Sequence, residues 1–319
     1  MVSLMPQANS PSAPLRVVGL AKQYAGGRGV RNISFTVAPG SVTGFIGVNG
    51  AGKSTTLKCI MGLTSPDAGE IAIFGEPADF ETRRQLGFLP EERGLAPRER
   101  ARDAVAFHAR LKGVARVEAY RRADELLERI GLGARRGARV GELSKGNAQR
   151  VQILCAIAHA PRLLILDEPF SGLDPVAQAE VQSLFDEYRA GGGAILFSTH
   201  AMAAAERLCD HVVIISDGRT VFEGAVAEAA AKAPHGVYVT CNDDGGLLAV
   251  ASELGGEAQP FPGKIGEALR WRVLLPTHVA YPTLMRAMAE RQLSVQGFEP
   301  IQADLEGAFW AFAAQKEAA

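Results

Sequence analysis

Gly47-Val48-Asn49-Gly50-Ala51-Gly52-Lys53-Ser54 follows directly on the apolar run 42–46 and opens a segment of helical character. The octet fits G-x-x-x-x-G-K-[ST] in the strand, loop, helix setting that gives this pattern its meaning. Its glycines predict a loop whose backbone N–H groups all point inward, and the helix that follows adds its positive end. The chemistry is that of an anion cradle. Lys53 can reach the β- and γ-phosphates of a nucleotide, the Ser54 hydroxyl can bind Mg²⁺, and Asn49, Thr55 and the rest of the loop surround the phosphate chain.

A second feature further along supports this. Residues 163–166 are four apolar residues that run into Asp167-Glu168. Short apolar runs without alternation, here 42–46, 163–166 and 194–198, are expected of strands buried on both faces of a mainly parallel sheet, and such sheets place ligands at the carboxyl ends of their strands. Asp167 then suits a Mg²⁺ ion held through water, and Glu168 suits a base for an attacking water.

The chain has 319 residues, which is long for one hydrophobic core and comfortable for two domains. Hydrophobic residues make up 47% and charged residues 22%, a globular balance rather than a disordered one. Lys plus Arg number 34 against 35 Asp plus Glu, so no whole-molecule field exists to hold nucleic acid, and no nucleic-acid partner is expected. Cys59, Cys155, Cys209 and Cys241 form no Cys-x-x-Cys pair, which argues against a zinc site or a disulfide framework. No stretch approaches the roughly 18 apolar residues of a membrane span. A cytoplasmic protein is expected.

Along the chain, residues 1–14 read as a flexible leader and 15–232 as the nucleotide-binding domain, with a helical subdomain at about 97–160. Two strands, 212–215 and 220–222, joined through Asp217-Gly218, form a hairpin that closes this domain. The segment 236–319 reads as a smaller α+β domain in the order β-α-β-β-α-β, a ferredoxin-like split motif. A final helix bears Leu305, Phe309 and Phe312 on one face. Around residue 90 the arginines Arg83, Arg84, Arg93, Arg98, Arg100 and Arg102 alternate with acidic residues, which suits a solvated helical face or a groove for a partner helix.

Leu143-Ser144-Lys145-Gly146-Asn147, ahead of the Asp167-Glu168 strand, resembles the signature loop of ATP-binding cassette (ABC) ATPases, usually Leu-Ser-Gly-Gly-Gln. Lys145 and Asn147 depart from that form. Ser171-Gly172-Leu173-Asp174 resembles the D-loop, Ser198-Thr199-His200 resembles the switch histidine, and Tyr24 stands where an aromatic stacks on adenine. Leu86-Gly87-Phe88-Leu89-Pro90-Glu91 resembles the Q-loop with Glu91 in the glutamine's place. A carboxylate there adds repulsion against a γ-phosphate of about 4 kcal/mol at ~4 Å and an effective dielectric of ~20. Mg²⁺ facing Glu91, or a pair with Arg93, would offset it.

The resemblance covers residues 15–224 and implies an α/β P-loop NTPase of the ABC type that uses ATP and Mg²⁺. It implies a head-to-tail dimer, of identical chains or with a paralogue, in which Lys53 of one subunit and Ser144 of the other enclose each ATP. His200 would contact the γ-phosphate, and Asp174 would carry signals across the interface. The combination with an extra C-terminal domain resembles bacterial export engines, among them sodium and drug exporters, which act on the inner face of the membrane through a separate transmembrane permease. The rival is a soluble cassette ATPase acting on ribosomes or DNA, or a regulatory one. Relatives of the first two kinds carry two cassettes or a long coiled coil before the signature.

Overall fold

The three apolar runs become β3 (Val42–Ile46), β7 (Leu163–Asp167) and β8 (Ala194–Thr199), and every residue in them is buried. Alternate residues serve opposite sides. Leu164, Leu166, Ile195 and Phe197 face one apolar core, while Leu163, Ile165, Ala194 and Leu196 face another. That two-sided burial is why the sequence shows no polar alternation here. The computed structural model describes residues 12–92, 94–265 and 268–314.

β3 lies between β8 and β9 (His211–Ser216), parallel to both, and β7 continues the parallel set to β6 (Leu86–Leu89). The rest of the sheet departs from the parallel expectation. β1 (Leu15–Gln23) and β2 (Gly29–Val37) pair antiparallel, because the turn between them is too short for a crossover. β4 (Ala68–Ile73) and β5 (Glu76–Pro77) extend this antiparallel edge. β10 (Arg219–Ala225) forms the expected hairpin with β9 and touches β2 through Arg219 and Asn32. The order is β5-β4-β1-β2-β10-β9-β3-β8-β7-β6.

Among the described residues seven helices of this unit follow in sequence, α1 (Lys53–Ile60), α2 (Phe80–Arg84), α3 (Ala101–Leu111), α4 (Arg116–Arg129), α5 (Lys145–Ile157), α6 (Pro175–Ala190) and α7 (Met202–Leu208), and α8 (Val226–Ala230) starts at the unit's last residue. Ala104, Val105 and Ala109 of α3 are buried with Ala119, Ala123 and Leu127 of α4, and small side chains let these helices lie close to each other and to α5. Several arginines of the mixed-charge region are used locally. Arg83 Nε donates to Ile60 O at 2.8 Å, Arg102 pairs with Asp124, and Arg84 pairs with Glu81. Arg93 lies outside the described residues.

The expected leader ends in contact with the sheet: Ser12 Oγ donates to Phe74 O at 2.7 Å and Phe74 N–H donates to Pro14 O at 3.2 Å. Residues 1–11 lie outside the described residues. The chain divides into two units at Val226/Ala227 rather than at the expected 232. Val226 N–H still donates to Asp210 O of the first unit, whereas Ala233 lies against Gly307 of the second.

The second unit runs β11 (Gly236–Cys241), α9 (Asp244–Glu253), β12 (Glu257–Ile265), β13 (Ala268–Leu274), α10 (Tyr281–Glu290), β14 (Val295–Pro300) and α11 (Leu305–Ala314). Its strands are all antiparallel in the order β12-β13-β11-β14, the split β-α-β arrangement. Leu305 and Phe309 of α11 are buried, as their spacing requires. The four cysteines are free thiols.

His159 closes the turn between α5 and β7, with Nε2 3.2 Å from Leu86 O and Nδ1 buried without a hydrogen-bond partner among the described residues. Burial, reinforced by the charge of Lys112, pushes its pKa down to about 4 against the bond to Leu86 O. The unfolded chain then binds the extra proton between about pH 6.5 and pH 4, so stability falls as pH drops through that window. Melting curves across this range should show a shallower acid loss for His159→Leu than for the unmodified protein; identical slopes would remove His159 as the cause.

Candidate functional site

The loop after β3 is shaped by lack of room. A Cβ on Gly47 would lie 2.8 Å from Ile215 O, and one on Gly52 would lie 2.4 Å from Val30 Cγ1. Gly50 and Gly52 have φ of 86° and 107°, in the left-handed region that glycine adopts freely. Not every N–H points inward: Ala51 N–H donates to Val48 O at 3.1 Å, closing the loop on itself. Gly218 N–H donates to Ala51 O at 3.1 Å, so the β9–β10 turn braces the same residue.

Around this loop lies a cavity of about 380 Å³ lined by Tyr24, Arg28, Gly29, Asn49, Gly50, Gly52, Lys53, Ser54, Thr55, Glu91, Asp167 and Glu168. Of the expected loop residues, Gly47 and Ala51 do not line it; they fold the loop and seat it against β9 and the turn after it. Lys53 is 7% exposed, and its Nζ donates to Gly47 O at 2.6 Å and Val48 O at 3.3 Å. Burial lowers its pKa, while Glu168, Asp167 and Glu91 oppose that shift in that order.

The carboxylates are fixed by β8. Ser198 Oγ donates to Asp167 Oδ1, and Glu168 N–H donates to both Ser198 O and Ser198 Oγ at 3.2 Å. Glu168 has a φ of 50°, an uncommon value for a side chain this long. The chain turns abruptly out of the strand there, and strain of this kind gathers at functional sites. His200 does not line the cavity; its Nδ1 is 2.7 Å from Glu168 Oε1, with the ring well exposed.

The signature-like residues are elsewhere. Ser144 caps α5 by accepting from Asn147 N–H at 3.3 Å, and Leu143, Lys145, Gly146 and Asn147 stand with it outside the cavity. Lys145 lays its stem over Gly172: a Cβ there would meet Lys145 Cε at 2.9 Å. Asp174 caps α6, accepting from Ala177 N–H at 2.9 Å. Glu91 is exposed and lines the cavity.

A model of the ABC transporter family matches residues 30–171, from β2 to just beyond the two carboxylates. The uncharacterized ABC transporter ATP-binding protein YhaQ of Bacillus subtilis is 38% identical over 214 residues, covering 67% of this chain and 72% of that one. The chain belongs to the ABC transporter family. As an ATP-binding subunit of that family it is an ATPase that powers transport through a separate membrane partner. Nod factor export ATP-binding protein I of Burkholderia lata is 38% identical over 218 residues, covering 67% and 72% of the two chains. A solved ATP-binding subunit of an ABC transporter superimposes with a TM-score of 0.63 at 38% identity, over 67% of this chain and 91% of that one.

Sequence reasoning passed over Arg28, which lines the ATPase cavity beside Tyr24. Its signal is a single cation inside the glycine-rich turn Gly26-Gly27-Arg28-Gly29 between two strands. Two cations, Arg28 and Lys53, face three carboxylates, Glu91, Asp167 and Glu168. A polyanion therefore needs each positive group. Arg28→Ala should weaken ATP binding about 3–10-fold in titration calorimetry and flatten its salt dependence, as loss of one charge-assisted bond implies; unchanged affinity would leave Arg28 a bystander.

Proposed function

We propose that this chain is the engine of an exporter, working as a pair of ATPase subunits on the inner face of the membrane beneath a separate permease. The observation that carries the ATPase half is the single cavity in which Tyr24, Lys53, Asp167 and Glu168 meet. The export half is supported by the likeness to Nod factor export ATP-binding protein I. Among the described residues no helix is long and apolar enough to cross a membrane, so any passage for cargo falls to a partner.

In this reading Tyr24 stacks on adenine, and Asn49, Gly50, Gly52, Lys53, Ser54 and Thr55 hold the phosphates. The Ser54 hydroxyl and Asp167 carboxylate are hard oxygen donors lining the same cavity. That set suits Mg²⁺, which takes one or two carboxylates together with substrate phosphates. Bound there, Mg²⁺ would neutralise charge on the phosphates. Glu168 orients and deprotonates the attacking water, and His200 steadies Glu168 through their 2.7 Å contact while reaching toward the γ-phosphate. Glu91 stands beside the metal position, where Lys53 offsets its charge.

The exposed start of α5 supports the pairing of subunits. Ser144 and Lys145 point to solvent at a helix N-terminus outside their own cavity, a place from which they can reach ATP held by the other copy. Asp174, capping α6 beside them, would then lie at the interface.

Glu168→Gln should slow hydrolysis on the order of 100- to 10,000-fold while ATP still binds, measured by phosphate release and calorimetry; retained turnover moves the catalytic base elsewhere. Glu91→Gln should shift the Mg²⁺ concentration needed for half-maximal turnover, and an unaltered Mg²⁺ profile would sink the place given to Glu91. Lys53→Ala and Ser144→Ala proteins should each be inactive, yet recover hydrolysis when mixed, because one of the two composite sites is then intact. No recovery would count against the head-to-tail pair.

A further inference from the structure

Glu91 sits on a stretch with little of its own to hold it. The ladder between β6 and β7 ends at Leu89 paired with Leu166, and Pro90 has no N–H to extend it. No ion pair to Glu91 forms among the described residues. Yet its carboxylate shares a cavity with Asp167 and Glu168, and an incoming polyphosphate repels all three. Something must keep this segment from swinging away.

Gln152 meets that need. It lies in the middle of α5 with 5% of its surface exposed, and its Nε2 donates to Pro90 O at 3.3 Å and Glu92 O at 3.2 Å. The two acceptors flank Glu91. A primary amide carries two hydrogens, so both donors are used, one on each side of the carboxylate-bearing residue. One turn earlier Gln149, 6% exposed, donates to Pro169 O at 3.4 Å, on the backbone directly after Glu168. A single helix thus grips the chain next to both Glu91 and Glu168.

We propose that Gln152 is a positioning residue for ATP hydrolysis, straddling Glu91 and holding its carboxylate at the γ-phosphate end of the cavity, with Gln149 doing the same for the segment that follows Glu168. The proposal rests on the reading of this cavity as the ATP site. Ser144 caps α5, so contact of that serine with nucleotide on the other copy reaches both carboxylates through one rigid element. Gln152 does not line the cavity. Its effect on turnover runs through Glu91.

A double-mutant cycle separates this role from plain packing. Gln152→Leu should lower kcat about 3–10-fold with the KM for ATP changed less than about twofold, the size expected from losing one or two hydrogen bonds. In a Glu91→Ala background the same substitution should change kcat by less than about 1.5-fold, since the group it positions is gone. Equal losses in both backgrounds overturn the proposal. Should Gln152→Leu fail to accumulate, Gln152→Met keeps the side-chain length without donors, and the same cycle is read with it. A Glu168→Gln protein that hydrolyses ATP normally overturns the reading of the cavity itself; with that variant inactive, additivity in the cycle overturns only the role of Gln152.

Discussion

A buried ammonium, Lys53 Nζ, rests on the carbonyls of a loop too tightly walled to hold side chains, and the ATPase unit is organised around keeping it charged there. Burial alone drives a lysine toward neutrality, and the carboxylates of Glu168, Asp167 and Glu91 oppose that drift. Each of those carboxylates comes from a different constraint. Asp167 is the last residue of a strand buried on both faces, Glu168 is turned out of line by a left-handed backbone, and Glu91 follows a proline at the end of an edge strand. The loop in turn is wedged between the end of β9, at Ile215, and the start of β2, at Val30. The cavity is therefore only as rigid as the junction of the parallel and antiparallel parts of the sheet.

Much of this was readable from residues. The strands β3, β7 and β8 announce themselves as unbroken apolar runs because both faces are covered, and the glycine octet and the Asp167-Glu168 pair lie at their carboxyl ends. Tyr24, Lys53, Ser54, Glu91, Asp167 and Glu168 do meet in one cavity. What local pattern could not convey was pairing over distance. The antiparallel edge of β1, β2 and β4 depends on which strands lie side by side. Arg28 acquires its place only when the turn before β2 is laid against Gly52 through Gly29.

Gln149 and Gln152 show the same limit from the other side. In the sequence they are polar residues within an apolar helix, which would ordinarily face solvent. Buried, they need partners, and they find them in carbonyls about twenty and sixty residues away along the chain. Similarly, Gly47 and Ala51 carry the loop motif yet act on the fold, one giving way to Ile215 and the other accepting from Gly218. A motif names the residues that a loop requires without saying which of them a ligand meets.

The backbone of Glu168 has one more implication. Only glycine, and to a lesser degree asparagine or aspartate, occupies that conformation with ease, so a glutamate there leaves the folded state roughly 1–3 kcal/mol less stable than a relaxed turn would. Selection for ruggedness alone would erode the very side chain that turnover demands. The protein is held at this residue in a standing conflict between durability and work.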